Sequence, residues 1–125
     1  MDQEMILAFG WTLVNADVPQ WPETAPFPFV QFNKDWNEYR LYEIYEEGWP
    51  FLRFAPSTTW DGAGQVIEEM RRRGFNVLIG NHALTGNWVV EIGTVLVEDV
   101  ESCPHAITVA AILALRSEAE HGDVR

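Results

Sequence analysis

Aromatic and charged side chains that could bind a partner or a ligand are concentrated between residues 17 and 55. Tryptophan and tyrosine rings there alternate with carboxylates and with the arginines Arg40 and Arg53. Exposed rings beside charged groups anchor protein partners and also stack on nucleotide bases. We predict a partner-binding surface formed by these residues: Asp35, Trp36, Glu38, Tyr39, Arg40, Tyr42, Glu43, Glu46, Glu47, Trp49 and Arg53. The alternative is that the segment folds back and buries its rings in the core.

Residue types found in catalytic and metal sites are present, but their spacing does not match a known site. His82, His105 and His121 are far apart, and neither they nor Cys103 have the spacing of a zinc site. The acidic pairs are adjacent in sequence, whereas general acid–base catalysis needs two carboxylates in different environments across a cleft. We therefore predict that the protein is not an enzyme and has no metal site or cofactor. A deep cleft with two convergent carboxylates would support the enzymatic alternative.

The formal net charge is −11, and it bears on the kind of partner that the protein binds. A protein that binds the nucleic-acid backbone needs a basic face that releases counterions, so we expect no direct binding to that backbone. An acidic protein instead attracts a basic protein surface. The alternative is that the charge serves solubility alone.

The length of 125 residues predicts one domain that spans residues 1–125, with a flexible tail at 120–125. The single cysteine, Cys103, cannot form an internal disulfide, which suits a reducing cytosol. The acidic first residues do not resemble a signal peptide. The longest apolar-rich stretch, 106–115, is about half the length that spans a bilayer, so we expect no membrane partner.

The segment after Pro56 has the pattern of an amphipathic helix. Thr58 and Asp61 resemble a capping box at its start, and a glycine ends it at position 74. Gly62 and Gly64 oppose helix formation, so we expect them to permit close packing against another backbone. The following apolar residues recur at helical spacing and form one stripe: Trp60, Ala63, Val66, Ile67 and Met70.

The insertion, which we place at residues 17–55, contains most of the prolines, and these exclude a regular helix near its start. Residues 27–32 are predicted to form a short edge strand. Residues 39–45 and 49–55 are predicted to form a hairpin with its turn at 46–48. A helical conformation of the first of these two segments is the alternative.

Helices are also predicted near the two ends of the chain, at residues 2–9 and from Ser102 onward. The second of these is apolar almost all round, so it must be covered on more than one side. Between the helices, strands are predicted at 75–79, 88–92 and 94–98. Their short connections favour antiparallel pairing.

Three motifs resemble those of a known family. They are Met-Ile-Leu-Ala-Phe-Gly-Trp at 5–11, Pro-Ser-Thr with Val-Ile-Glu-Glu-Met-Arg within 56–75, and Pro-His-Ala-Ile with Ala-Ala within 104–115. In this order they resemble the phage ABA sandwich domain, which is named for its helix, sheet and helix layers. The chain departs from the family pattern at Thr59, where the family usually has Asp, and in the insertion. The tryptophans of the matching elements are expected in the core: Trp11, Trp60 and Trp88.

These observations predict an α/β (α+β) fold in which a small, mainly antiparallel sheet is sandwiched by helices, with an aromatic-rich insertion. The resemblance implies a phage or prophage origin, and with it the host bacterial cytoplasm, but no reaction. We hypothesise that the protein antagonises a host defence component by masking a basic protein surface. One alternative is a binder that sequesters a nucleotide signal. Another is a phage structural or assembly module, which a large symmetric oligomer contact would support. The apolar helix at 106–115 favours a homo-oligomer.

Overall fold

The computed structural model describes residues 1–14, 28–43, 51–99 and 102–121. Within these ranges lie the helices α1 (Asp2–Ala8), α2 (Trp60–Arg72) and α3 (Cys103–His121). The strands are β1 (Thr12–Val14), β2 (Phe29–Asn33), β3 (Glu38–Tyr42), β4 (Leu52–Arg53), β5 (Val77–Asn81), β6 (Trp88–Ile92) and β7 (Val95–Asp99). The predicted turn at 46–48 lies outside the described residues. Of the predicted flexible tail at 120–125, residues 122–125 also lie outside the described residues, whereas residues 120 and 121 belong to α3.

The described strands form two small sheets rather than the single sheet expected from the sequence. The first has the order β1-β2-β3-β4 and the second the order β5-β6-β7. Strand β1 runs parallel to β2, and every other described pair is antiparallel. The predicted α+β class with mainly antiparallel strands is confirmed. The insertion supplies three of the four strands of the first sheet, so it belongs to the scaffold.

The predicted edge strand at 27–32 is wrong in its position within the sheet. Strand β2 lies between β1 and β3, with Thr12 of β1 opposite Phe29. A proline is tolerated here because Pro28, which lacks an amide N–H, stands immediately before the strand and takes no place in the ladder. The second strand of the sheet is therefore internal despite the prolines that precede it.

The antiparallel pairing of the predicted hairpin is confirmed. Strand β3 pairs with β4, with Arg40 opposite Arg53 and Leu41 opposite Leu52. The helical alternative is wrong for residues 39–42, which are extended. In the second sheet, strand β6 has the predicted bounds, whereas β5 and β7 begin two residues and one residue later than predicted.

One cluster of buried residues joins the two sheets and the three helices. Val30, Leu41 and Phe54 reach it from the insertion, while Val90 and Ile92 reach it from β6. The helical members of the cluster include Met5 and Ile6 of α1, Val66 and Met70 of α2, and Ala106, Ile107, Ala110 and Ala111 of α3. The prediction that α3 is covered on more than one side is confirmed, because α3 packs against α1, α2, β6 and β7.

The three tryptophans expected in the core differ in their burial. Trp11 and Trp88 are partly buried and pack against the core cluster. Trp60 is 58 % exposed, so the prediction is wrong for this residue. It is the first residue of α2, and its ring lies edge-on to that of Trp88 with 5.6 Å between the ring centroids. Because Trp60 is the first residue of α2, its ring lies past the part of the helix that packs against the core.

Arg73, the last of three consecutive arginines at the end of α2, joins this helix to the end of α1. Nε of Arg73 lies 3.0 Å from Oε1 of the buried Glu69, and its Nη2 donates a 2.5 Å hydrogen bond to the carbonyl of Phe9. The guanidinium carbon lies 4.8 Å from the centroid of the Phe9 ring. Burial lowers the pKa of Arg73, and the charge of Glu118 opposes that change. Arg73 is therefore a structural contact between helices.

The cap of α2 is Thr59, not the Thr58 that the capping-box pattern predicts. Oγ1 of Thr59 accepts a 3.0 Å hydrogen bond from the amide of Gly62 and donates a 2.7 Å hydrogen bond to the carbonyl of Ala55. The side chain thus satisfies one of the free amides of the first helical turn and also fixes the approach to the helix.

Replacing Thr59 with alanine should lower the free energy of unfolding by about 1 kcal/mol, because both hydrogen bonds of its hydroxyl are lost. The matched control is Thr58→Ala, which removes an exposed side chain and should cost less than about 0.5 kcal/mol. Urea unfolding followed by circular dichroism measures both values. Equal losses would contradict the assignment of the cap to Thr59.

Candidate functional site

A groove of about 720 Å³ lies between helix α2 and one end of the first sheet. We call it the acidic groove. Its lining within the described part of the chain is Trp11, Pro28, Leu41, Glu43, Asp61, Gly64, Gln65, Glu68, Glu69 and Arg72. It is a far larger space than a structural water requires, and its volume is in the range of small-ligand sites.

Strand register explains how the sheet contributes its side of the acidic groove. Thr12, Phe29 and Tyr42 lie opposite one another across β1, β2 and β3. The residues next to them at the strand ends are Trp11, Pro28 and Glu43, so all three lie at the same end of the sheet. The parallel pairing of β1 is essential, because an antiparallel β1 would carry Trp11 to the opposite end.

Helix periodicity explains the other side of the acidic groove. Asp61, Gln65, Glu68 and Arg72 are separated by four, three and four residues, which places them along one face of α2. The buried residues of α2 face the core on another side of the same helix. Gly64 lines the groove without a side chain, and the space beside it is open, since a Cβ at that position would meet no atom within 4 Å.

Carboxylates exceed cations in the acidic groove. Glu69 is the best neutralised, since Arg72 and Arg73 both pair with it. Glu68 lies 3.7 Å from Arg71, and because both side chains are largely exposed the pair is weak. Glu43 and Asp61 take part in no ion pair among the described residues. The groove therefore carries a negative potential that attracts a cation.

Gln65 supplies a hydrogen-bond acceptor in the acidic groove. Its Oε1 atom is buried and receives no hydrogen bond from the described residues. Buried polar atoms in folded proteins usually have partners, so an acceptor without one favours a donor from outside the chain. The ring of Trp11, which is partly exposed, lines the same space. A cation with N–H groups can use all three features, namely carboxylates, amide oxygen and ring face.

The predicted binding residues are divided between two ends of strand β3. Asp35 and Trp36 are exposed in the turn that joins β2 to β3, and the Trp36 side chain is 72 % exposed. A 3.0 Å hydrogen bond from the Trp36 amide to Oδ1 of Asn33 fixes that turn. Glu43 follows the other end of β3 and is the predicted residue that lines the acidic groove. The length of β3 separates the two regions by about 17 Å.

The two tyrosines of the predicted binding surface, Tyr39 and Tyr42, pack against other residues of the first sheet. Tyr42 is buried and stacks on Phe29 at 5.0 Å, so its ring packs within the sheet and is not presented on the surface. Tyr39 is half-buried against Phe32 at 5.1 Å. Burial raises the pKa of both tyrosines. The negative charge of the nearby Asp2 raises the pKa of Tyr39 further, whereas Arg40 opposes the rise in the pKa of Tyr42. Both phenols therefore stay neutral at physiological pH.

Arg40 and Glu38 are half-buried and interact with their own sheet. Arg40 Nε lies 3.7 Å from Oε2 of Glu38, and the Arg40 guanidinium carbon lies 4.2 Å from the centroid of the Phe51 ring. Arg53 is exposed on the neighbouring strand. The remaining predicted residues fall outside the described part of the chain: Glu46, Glu47 and Trp49.

Sequence reasoning missed the residues that α2 contributes to the acidic groove, namely Asp61, Gln65 and Glu68. A signal for them exists, because they form a polar stripe at helical spacing beside the predicted apolar stripe. Such a stripe normally indicates only a solvated helix face. Whether such a stripe lines a groove depends on what lies opposite it in the fold. The sequence does not show that the end of the first sheet lies opposite this stripe.

The described ranges contain no group of three or more histidine, cysteine, aspartate or glutamate side chains that could hold a metal ion. Among the same residues, no helix has the length and apolar character needed to cross a membrane.

Comparisons with models of protein families, with curated proteins and with solved structures found no match to this chain. The resemblance to the phage ABA sandwich domain stays a prediction from the motifs.

Proposed function

We propose that this protein is a non-catalytic binding protein whose acidic groove receives a basic side chain from the surface of another protein. The observation that carries the proposal is a set of acceptors in one groove that no described residue neutralises or binds: the carboxylates of Glu43 and Asp61 and the Oε1 atom of Gln65. An arginine or lysine would donate hydrogen bonds to these oxygens and pack against the ring of Trp11.

The nature of the partner follows from charge and from the resemblance. A chain with a net charge of −11 is attracted to basic protein surfaces and is repelled by the nucleic-acid backbone. We propose that the masked surface belongs to a host defence component in the bacterial cytoplasm. This narrower part of the proposal is supported by the phage-like motifs and not by the geometry of the groove.

The acidic groove favours a protein partner over the nucleotide considered as an alternative. A nucleotide brings phosphate charges, which Glu43, Asp61 and Glu68 would repel, and Arg72 already pairs with Glu69. A basic protein side chain meets no such repulsion. We therefore propose a basic protein side chain, not a nucleotide, as the ligand of the acidic groove.

The double variant Asp61→Asn, Glu68→Gln should weaken the binding of a labelled peptide of alternating arginine and serine by about tenfold, because two of the attracting charges are removed. Fluorescence anisotropy at low and high salt measures the affinity. Binding should fall as salt rises, and the fall should be shallower for the variant.

The control for this experiment is Glu4→Gln, Glu118→Gln, which removes the same charge from exposed positions outside the acidic groove. This control should keep most of the wild-type affinity. Equal losses for the two double variants would show that overall charge binds the peptide, and the groove would no longer be the proposed site.

A further inference from the structure

The outer face of the second sheet is uncovered by the described residues. Leu78 of β5 and Leu96 of β7 are 63 % and 67 % exposed. Both lie opposite Glu91 of β6, so the three side chains form a row across the sheet. The alternate residues of β6, Val90 and Ile92, are buried on the inner face, where α3 packs. The sheet thus buries one side and leaves leucines on the other.

A second row on the outer face repeats this mixture of apolar and acidic residues. Gly80, Val89 and Glu98 lie opposite one another across the same three strands. Glu98 accepts a 2.8 Å hydrogen bond from the side-chain amide of Asn87, which leaves its negative charge in place. Within the strands as described, this face carries two carboxylates and no basic residue. It therefore complements a partner that is both apolar and basic.

We infer that the outer face of the second sheet docks an amphipathic helix of a partner protein, in which a basic residue lies between two apolar ones. Adjacent strands are about 4.8 Å apart, so Leu78 and Leu96 lie about 10 Å apart with Glu91 midway. Residues i and i+7 of a helix are separated by about 10.5 Å along its axis, and residues i+3 and i+4 lie between them. A helix that crosses the strands can therefore place two apolar residues on the leucines and a lysine or arginine on Glu91.

A second copy of this chain is a poor occupant of the same face. Two such faces would bring Glu91 and Glu98 toward carboxylates of the other copy, and the three strands that form the face contribute no basic residue to neutralise them. The net charge of −11 adds to this repulsion. This docking surface is separate from the acidic groove, and the inference does not depend on the proposed function.

The test uses the whole protein and a synthetic helical peptide with leucine at i and i+7 and lysine at i+3 and i+4. Nuclear magnetic resonance titration of the ¹⁵N-labelled protein should show shift changes concentrated in β5, β6 and β7. The variant Leu78→Thr, Leu96→Thr, which keeps residues suited to strands, should weaken binding at least about tenfold. Glu91→Gln should weaken it about threefold and also tests the surface if the double variant does not fold.

Two controls show whether the peptide binds at this face. Leu84→Thr removes a leucine that is 92 % exposed in the β5–β6 loop, outside the face, and should leave binding unchanged. Asp61→Asn, Glu68→Gln should leave the shift changes in β5, β6 and β7 in place, because the acidic groove lies elsewhere. Shift changes confined to the groove, an equal loss for Leu84→Thr, or sedimentation that shows a wild-type dimer abolished by Leu78→Thr, Leu96→Thr would each overturn the inference.

Discussion

Replacing Phe54 with alanine should lower the free energy of unfolding by about 4 kcal/mol, because a fully buried ring is deleted and a cavity remains. Phe54 follows β4 directly. Its ring centroid lies 5.5 Å from that of Trp11, and its amide donates a 2.8 Å hydrogen bond to the carbonyl of Tyr39. The side chain therefore fixes the last strand of the insertion to the core that the helices share.

The matched control is Phe51→Ala, because Phe51 lies in the same short segment and is 42 % exposed. Its removal should cost about 1 kcal/mol through the lost contacts with Arg40 and Tyr42. Urea unfolding followed by tryptophan fluorescence measures both variants. A loss below about 1 kcal/mol for Phe54→Ala would show that the insertion does not complete the core.

The insertion both contributes side chains to the core and exposes a ring at the surface, which on the sequence alone are alternatives. Val30, Leu41 and Phe54 are buried in the common core, whereas the Trp36 side chain is 72 % exposed in the turn between β2 and β3. Composition alone shows how many rings the segment contains. Which of them point inward depends on strand register, and a shift of one residue exchanges the two faces.

Elements with strong local signals could be predicted from the sequence. Helix α2 has an apolar stripe and a terminal glycine, and Ala63, Val66 and Met70 of that stripe are buried. Strand β6 alternates apolar residues, and its bounds match the prediction. In both elements the pattern lies within one continuous segment, so no knowledge of distant contacts is needed.

Features that depend on distant segments could not be predicted. The pairing of β1 with β2 joins Thr12 to Phe29, and no local pattern specifies a parallel partner across that interval. The acidic groove needs the same pairing, because it brings Trp11 to the same end of the sheet as Glu43 and opposite α2. Of the residues predicted for binding, Glu43 reaches the groove, while Tyr42, one position earlier, is buried.

Helix α2 offers a second large expected effect, at Gly62. Gly62→Ala should lower the free energy of unfolding by at least about 2 kcal/mol, because the added methyl has no room. A Cβ at this position would lie 2.6 Å from the carbonyl carbon of Ala55 and 2.7 Å from the amide nitrogen of Pro56. These are backbone atoms, so relief requires moving the chain that leads into the helix. The gain of about 1 kcal/mol in helix propensity does not offset that strain.

Gly64→Ala provides a control of opposite sign in the same helix. A Cβ there meets nothing within 4 Å, so the expectation of close backbone packing is wrong at this glycine and right at Gly62. The substitution should raise the free energy of unfolding by about 1 kcal/mol through helix propensity alone. Urea unfolding of the two single variants measures the contrast. A gain of stability at both positions would show that helix α2 does not approach Ala55 as closely as the geometry requires, since an added methyl at Gly62 would then find the same open space as one at Gly64.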